Sequence, residues 1–468
     1  MGLLHRLRAA MPRGGFVRGA LAIASATGAA QLIGILSSPI VTRLYSPSDY
    51  GAYAVAASFL IVLISVACLR YDLAIPLPKS DTTAANVLAL CLVAAVAVTL
   101  VSLPILWLVG PRILDTVGAS ALSPYVFLMP IGVLSGGIVA AFTGWMIRTK
   151  SYSEIAANRL TQSGTVVVAQ VGFGLLGLGA AGLLIGTVAG NIAGTSRLVR
   201  AAWRGSATSI RAVSRREVAS TGNRYRRFPI YSAPSAFLNN VGLEAPLLLI
   251  VALYGTGVGG QFALAQRVVA LPVFVLAAAV GQVYFAEAAR LQQQDPTALR
   301  RLFWSTTRSL ALTAIGPFLL AALLAPLLFT VLFGQAWSEA GLYVAILAPM
   351  YFLQFVATPT GGTLDVLERQ DLHLVREIGR LCLIGGAVLA ASALHLSATQ
   401  AVIAVSIAGC VTNSLYGFIS WRAIVAYRPV AGTANEVPPD LLDGIPGRPD
   451  GAYALVDPSP AAEAPPRP

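Results

Sequence analysis

A chain of 468 residues with 56% hydrophobic and 11% charged side chains and a mean hydropathy of +0.74 is not a soluble globular protein, in which about 25% of residues are charged. Its net charge of +12 first suggests a phosphate-backbone partner, but the arginines fall in alternate connections between apolar stretches, which is a topology pattern and argues for no nucleic-acid partner. Cys68, Cys91, Cys382 and Cys410 all lie in apolar sequence with no C-x-x-C spacing, so packing is their expected role.

Residues 1–18, with Arg6, Arg8, Arg13 and Arg18, form a basic amino-terminus. The apolar run that follows lacks a cleavage pattern and is joined almost at once to a second, so it reads as an uncleaved first helix. Crossing roughly 30 Å of hydrocarbon takes about 20 apolar residues. By that measure the first half holds spans at 19–42, 52–69, 83–109, 121–147, 155–175 and 179–199. The glycine-rich pair 155–199 reads either as two short helices or as one split hairpin. An Arg-rich linker, 200–229, leads to 230–253, 259–285, 308–333, 339–362, 374–395 and 399–421. The tail 428–468 has ten prolines and few large apolar residues; it cannot bury a core and is expected to be disordered. The fold class is therefore all-α: a polytopic membrane protein of about twelve transmembrane helices. Bundles at 19–199 and 230–421 of six spans each enter the membrane from the same side, as parallel repeats around a central cleft.

Charge placement orients the chain. One side receives the amino-terminal arginines, Arg70, Lys79, Arg148, Lys150, Arg159, nine arginines between 197 and 227, and Arg290, Arg300, Arg301, Arg308, Arg369, Arg376 and Arg380; the other receives Arg43 and Arg112. The positive-inside rule then makes both termini cytoplasmic, in a multi-pass protein of a plasma or inner membrane.

A repeat supports the duplication. Leu44-Tyr45-Ser46-Pro47-Ser48-Asp49-Tyr50-Gly51-Ala52-Tyr53-Ala54-Val55-Ala56 is echoed 209 residues later, at Leu253 to Ala265, with Leu253, Tyr254, Gly260, Ala263 and Ala265 identical in register. Both turns join the first two spans of a half and fall on the outer face, where Gly51 and Gly260 occupy matching places.

Charges inside spans are costly and normally face a cavity or a partner. Glu244, a turn from Asn239 and Asn240, reads either as an ion-coupling carboxylate or as a structural one paired across the bundle. Arg267 reads as a fork for a pyrophosphate, or as a partner of Glu244. Arg18 and Arg227, at matching offsets, flank the inner mouth of a cleft or simply anchor their spans. Arg70 and Asp72 follow the second span as a mutual pair or as a substrate contact and second coupling carboxylate. Arg43, on the side the rule disfavours, has Asp49 across the turn as an expected structural partner, with an outer-gate contact as the alternative.

No catalytic chemistry is spelled out. There is no G-x-x-x-x-G-K-[ST]; the lysines are Lys79 and Lys150 alone, and His5, His373 and His395 are scattered. Neither ATP hydrolysis by a P-loop nor a zinc site is expected, and the outer connections are too short to house an active site. The chain reads as a non-enzyme without cofactor or metal.

The run Ser37-Ser38-Pro39-Ile40-Val41-Thr42-Arg43-Leu44-Tyr45-Ser46-Pro47-Ser48-Asp49-Tyr50-Gly51-Ala52-Tyr53, with Leu69-Arg70-Tyr71-Asp72-Leu73-Ala74-Ile75-Pro76 after it, resembles the polysaccharide biosynthesis and O-antigen flippase family. That family lies within the multidrug, oligosaccharidyl-lipid and polysaccharide exporter superfamily. The resemblance is most specific over residues 16–80. It implies a flippase carrying an undecaprenyl-pyrophosphate-linked oligosaccharide from the cytoplasmic to the outer leaflet by alternating access, coupled to H+ or Na+. The implied partners are that lipid-linked substrate, membrane lipid, a polysaccharide polymerase and a chain-length regulator. Of the family pattern, Arg43, Gly51, Arg70 and Asp72 carry over, and a cationic cleft would fall to Arg18, Arg227 and Arg267. A small-molecule or drug antiporter, a peptidoglycan-precursor flippase and a non-transporting scaffold of a cell-wall synthesis complex are the alternatives; the antiporter would require a cleft dominated by carboxylates.

Overall fold

The structure is a computed structural model that describes residues 15–367 and 369–427; the basic amino-terminus up to residue 14 and the expected disordered tail lie outside the described residues. Among the described residues all regular structure is helical. In chain order the first half holds α1 (Gly15–Leu36), α2 (Ser38–Leu44), α3 (Pro47–Ala67), α4 (Asp81–Thr116), α5 (Leu128–Arg148), α6 (Tyr152–Leu175) and α7 (Gly179–Arg211). A short helix α8 (Arg215–Arg224) leads to α9 (Ala233–Pro272), α10 (Ala278–Gln294), α11 (Pro296–Phe333), α12 (Ser338–Gly361), α13 (Thr363–Val366), α14 (Gln370–Ala393) and α15 (Ala398–Ala426).

Among the described residues, seven helical stretches are long and apolar enough to cross a membrane by length and composition. One of them, Phe228–Ala270, contains two helical segments, because α9 breaks at Gly255, whose φ of +89° and ψ of 166° are accessible to glycine. Three long helices, α6, α7 and α14, are not among the seven. These are the helices that carry Arg159, Gln162, Asn191, Arg376 and Arg380 into the interior cavities described below. The polar side chains that weaken the membrane signal are thus the ones that furnish the cavities. At the other extreme α11 turns Leu319, Leu320, Leu323 and Leu327 outward, each more than half exposed, as a lipid-facing helix does.

Two sequence expectations need adjustment. The glycine-rich pair 155–199 forms two long helices of 24 and 33 residues rather than short ones or a split hairpin. The second runs past residue 199 to Arg211, with non-helical torsions at Ser206, so helix occupies the start of the expected linker. Polar and basic residues at a membrane surface favour helix as readily as apolar ones do within it, and hydropathy alone does not see the continuation.

The connection between α2 and α3 is specified locally. Ser46 and Asp49 form a reciprocal capping box, Asp49 N donating to Ser46 Oγ and Ser46 N to Asp49 Oδ2, both at 3.1 Å, with Pro47 at the first helical position. Asp49 Oδ1 also accepts from Ala180 N at 3.1 Å, tying α3 to the start of α7. Here α1 and α2 are separated by a break at Ser37, where Pro39 removes an amide donor and the Ser37 and Ser38 hydroxyls donate back to the Gly34 carbonyl at 3.0 and 2.8 Å.

At this end, the turn end, the halves share a core that includes Val41, Tyr45 and Tyr50 from the first and Phe262 and Trp337 from the second. Toward the termini each half has a core of its own, around Trp145 and Leu198 in one and Leu299 and Tyr416 in the other.

The connection from α10 to α11 also carries a cap. Asp295 Oδ1 accepts from Thr297 Oγ1, Thr297 N and Ala298 N at 2.6, 2.8 and 3.0 Å. The Thr297 hydroxyl, then the Ala298 amide, hold this carboxyl below the ordinary 3.8. A depressed folded-state value means that the cap's stabilisation is full above pH 3.8 and lost as the pH falls through the lower folded value. The protection factor of the first turn of α11 against hydrogen exchange is expected to fall only in that acid range, and Asp295→Ala to lower it above that range and to make no difference below it.

Candidate functional site

The tightest approach between the halves is at the turn end. A Cβ placed on Gly51 would strike the Thr256 carbonyl oxygen and lie 2.8 Å from Gly260 N; one placed on Gly260 would strike the Pro47 carbonyl oxygen and lie 3.0 Å from Gly51 N. Pro47 and Thr256 are themselves 209 residues apart, as are Gly51 and Gly260. The echoed turns therefore meet each other, backbone against backbone, in a reciprocal small-xxx-small crossing. Trp337 closes the same end: its Nε1 donates to the Thr42 carbonyl at 2.9 Å, and its ring stands edge-on to Tyr50 at 5.6 Å.

Below this seal two cavities adjoin. One, of about 400 Å³, lies between the halves and is lined from α3, α9, α12, α14 and α15. The other, of about 300 Å³, lies within the first half among α1, α3, α6 and α7. Gln31, Tyr50, Tyr53 and Arg267 line both.

Arg267 reaches from the second half into the first. Its Nη1 donates to Tyr50 Oη at 3.1 Å, and a Cβ on Gly34 would come within 2.5 Å of its Nη2. The glycine in α1 leaves room for the guanidinium. Glu244 lines the cavity between the halves and accepts from Ser58 Oγ at 2.6 Å. The expected Arg267–Glu244 pair does not form: each contacts the first half instead, at different depths.

Two further arginines line this cavity, Arg376 and Arg380 on α14. Arg376 stacks on Tyr416 with its Cζ 3.8 Å from the ring centroid, and Nη1 lies 3.3 Å from Glu377. Arg380 Nη2 lies 2.6 Å from Glu377 Oε2, and its buried Nε has no acceptor. Arg159 lines the first-half chamber. Among the described residues, the side chains lining the two cavities include four arginines and a single carboxylate, Glu244. Among the described residues no group of three His, Cys, Asp or Glu side chains could hold a metal ion.

The other residues singled out from sequence lie elsewhere. Arg70 and Asp72 line neither cavity. They form a sharp turn after α3, with Leu69 and Arg70 at φ of 48° and 62°, and the Asp72 carbonyl packs against Gly144 of α5. Burial pushes the Asp72 carboxyl up, and the charge of Arg70 offsets part of that. Arg227 is exposed beside the turn Phe228–Ser232 and lines neither cavity. The side chain of Arg18 lies outside the described residues. Arg43 is exposed, and Asp49 bonds to Ser46 and Ala180 rather than to Arg43. Positive-inside counting takes Arg159, Arg376 and Arg380 as topology charges, whereas all three line the cavities. The missed signal is helical register: Arg376 and Arg380 are four apart, and Arg159, Gln162, Val166 and Gln170 line one face of α6.

Residues 40–341 match the model of a family described as polysaccharide biosynthesis protein. The chain belongs to the polysaccharide biosynthesis protein family. Within curated proteins it is similar to the teichuronic acid biosynthesis protein TuaB of Bacillus subtilis, at 26% identity over 164 residues, 35% of this chain and 34% of that one. It is also similar to the amylovoran biosynthesis protein AmsL of Erwinia amylovora, at 25% over 145 residues, 31% of this chain and 36% of that one. These matches span about a third of each relative's length. Among solved structures, a multidrug resistance MATE family transporter of the MOP superfamily, inward-facing, superposes with a TM-score of 0.66 at 16% identity, covering 86% of this chain and 96% of that one. The lipid II flippase MurJ, in an inward closed conformation, gives 0.63 at 12% identity, covering 86% and 89%. This family member thus has the fold of those transporters, as the six-plus-six reading of its spans anticipates.

Proposed function

We propose that this protein is a flippase that carries an undecaprenyl-pyrophosphate-linked oligosaccharide from the cytoplasmic to the outer leaflet by ion-coupled alternating access. The observation that carries the reading is the lining of the cavities, with four arginines to one glutamate among the described residues. An organic cation would need the opposite balance, whereas a pyrophosphate needs forks of this kind in a low-dielectric site. Membership of a polysaccharide biosynthesis family supports a saccharide on the lipid.

On this reading the arginine-rich terminus end is cytoplasmic and the sealed turn end outer. Arg267 holds the pyrophosphate at the junction of the cavities, with Arg376 and Arg380 on the facing wall, and Glu244 carries the coupling ion, H+ or Na+. Each transport cycle parts the Gly51–Gly260 contact and draws Arg267 away from Tyr50.

The test is a reconstituted vesicle carrying a fluorescent undecaprenyl-pyrophosphoryl trisaccharide, with outer-leaflet lipid read by an impermeant quencher. The wild type is expected to exchange the lipid between leaflets, faster under an imposed ion gradient. In Glu244→Gln, exchange is expected to persist at the rate seen without a gradient and to ignore the gradient. Absence of exchange in the wild type sinks the flippase reading; a Glu244→Gln protein that still responds to the gradient sinks the coupling role.

Gly34→Ala offers a subtler check. The added Cβ meets the mobile end of Arg267 rather than backbone, so stability is expected to change by less than about 1 kcal/mol. The guanidinium is displaced from Tyr50, and binding of undecaprenyl pyrophosphate is expected to weaken roughly tenfold, equivalent to about 1.4 kcal/mol.

A further inference from the structure

Glu377, on α14, stands between two arginines of the cavity that separates the halves. Its Oε1 lies 3.3 Å from Arg376 Nη1 and its Oε2 lies 2.6 Å from Arg380 Nη2. The guanidiniums line the cavity, whereas Glu377 sits behind them. All three side chains are mostly withdrawn from solvent, at 21% exposure for Arg376, 13% for Arg380 and 27% for Glu377. Two cations held this close in a membrane-spanning helix need an anion, and in the empty cavity the protein supplies it.

The pairing is a poor one. Neighbouring residues on a helix do not face each other, so Arg376 meets Glu377 through one nitrogen and one oxygen. Arg380 approaches from the next turn, and its Nη2 and the Glu377 Oε2, though close, are both buried without a hydrogen bond of proper geometry, as is Arg380 Nε. A pyrophosphate, with oxygens on two phosphorus atoms, can meet each planar fork in bidentate fashion. Nor do the arginines depend on Glu377 for their places. Arg376 rests on the ring of Tyr416, whose hydroxyl packs so closely on Gly361 that a Cβ there would strike it. Arg380 Nη2 lies 3.3 Å from the point that a Cβ would occupy on Gly242 of α9. The ring and the glycine hold the two forks at the cavity wall whether or not the carboxylate is charged.

We infer that Glu377 is an internal stand-in for the anion of the substrate. In the empty cavity it neutralises Arg376 and Arg380; an arriving pyrophosphate takes the two forks from it, and on release Glu377 takes them back. The inference rests on the flippase reading and adds to it a positioning residue, outside the cavity lining, that weakens binding and speeds release.

The experiment measures binding of undecaprenyl pyrophosphate to the full chain in lipid nanodiscs by calorimetry, with undecaprenol as the uncharged probe. If Glu377 holds the arginines in about nine molecules of ten, the apparent affinity is about a tenth of the intrinsic one. Glu377→Gln, which keeps the shape and removes the charge, is then expected to bind the pyrophosphate lipid about tenfold more tightly, to bind undecaprenol as the wild type does, and to exchange lipid more slowly in vesicles. Glu377→Asp, which keeps the charge one methylene further back, is expected to fall between the two. Unchanged or weaker binding of the pyrophosphate lipid by Glu377→Gln overturns the inference, because the glutamate would then be a clamp that shapes the site. An equal gain for undecaprenol also overturns it, as a packing effect. Should Glu377→Gln fail to fold, Glu377→Asp carries the test, and an affinity at or below that of the wild type overturns the inference. Failure of the wild type to bind undecaprenyl pyrophosphate sinks the flippase reading instead.

Discussion

Replacing Gly51 with valine is expected to hold the turn end of the molecule open. The new Cβ would meet the Thr256 carbonyl and Gly260 N, both backbone atoms, so no rotamer change can relieve the clash. The helices must part along their whole crossing. Overpacking of this kind costs about 1–3 kcal/mol. Here only the closed-turn state bears that cost, so the equilibrium shifts toward the turn-open state by about 5- to 150-fold. Gly260→Val meets the Pro47 carbonyl in the mirror-related contact and is expected to act alike. The double variant should exceed either single by little, since the first side chain already makes room for the second.

Ala54 provides the readout. It is buried and lines the cavity between the halves, so a cysteine there, in a background free of the four native ones, is shielded from the turn side while the seal holds. Labelling by an impermeant maleimide added on that side is expected to rise in Gly51→Val and in Gly260→Val, with transport lost. Unchanged labelling in both would mean that the crossing is not the barrier on that side.

Much of this architecture is legible in the sequence. Span lengths, the arginine asymmetry and the repeat at 44–56 and 253–265 predict a twelve-span membrane protein of two like halves, and Ser46-x-x-Asp49 with Pro47 spells the start of α3. The contact of the two repeats with each other is not legible, because a repeat states equivalence and not proximity. The site divides the same way. Arg267 and Glu244 stand out because a charge deep in an apolar run has little else to do. Arg159, Arg376 and Arg380 lie in the first halves of their helices, on the arginine-rich side, where positive-inside counting accounts for them. Whether such a residue faces lipid, water or a cavity depends on how its helix is rotated against its neighbours, which long-range packing decides. Arg70 and Asp72, read from sequence as a mutual pair or as substrate contacts, line neither cavity. Their place in the family pattern suggests function, while the positive φ at Leu69 and Arg70 and the fit of the Asp72 carbonyl against Gly144 give them a structural use at a tight turn.

Arg267→Ala is expected to abolish measurable transport, and the reason separates it from an ordinary packing defect. Its guanidinium lies where the cavities meet and spends one nitrogen, Nη1, on Tyr50, leaving donors of the fork for a bound anion. Truncating one partner of a desolvated charge pair costs about 2–5 kcal/mol, so pyrophosphate-lipid binding should fall by roughly 30-fold or more. Lysine at this position keeps the charge and loses the planar fork, and is expected to recover part of the affinity. The competing account is that Arg267 only latches the second half to Tyr50 of the first. On that account Tyr50→Phe, which removes the latch and leaves the guanidinium free, should be as damaging as Arg267→Ala. On the reading proposed here Tyr50→Phe loses a single hydrogen bond of about 1 kcal/mol, a several-fold effect. Affinities of the two variants for undecaprenyl pyrophosphate, measured side by side, decide between them. A large gap makes Arg267 a substrate contact, and equal losses make it a latch.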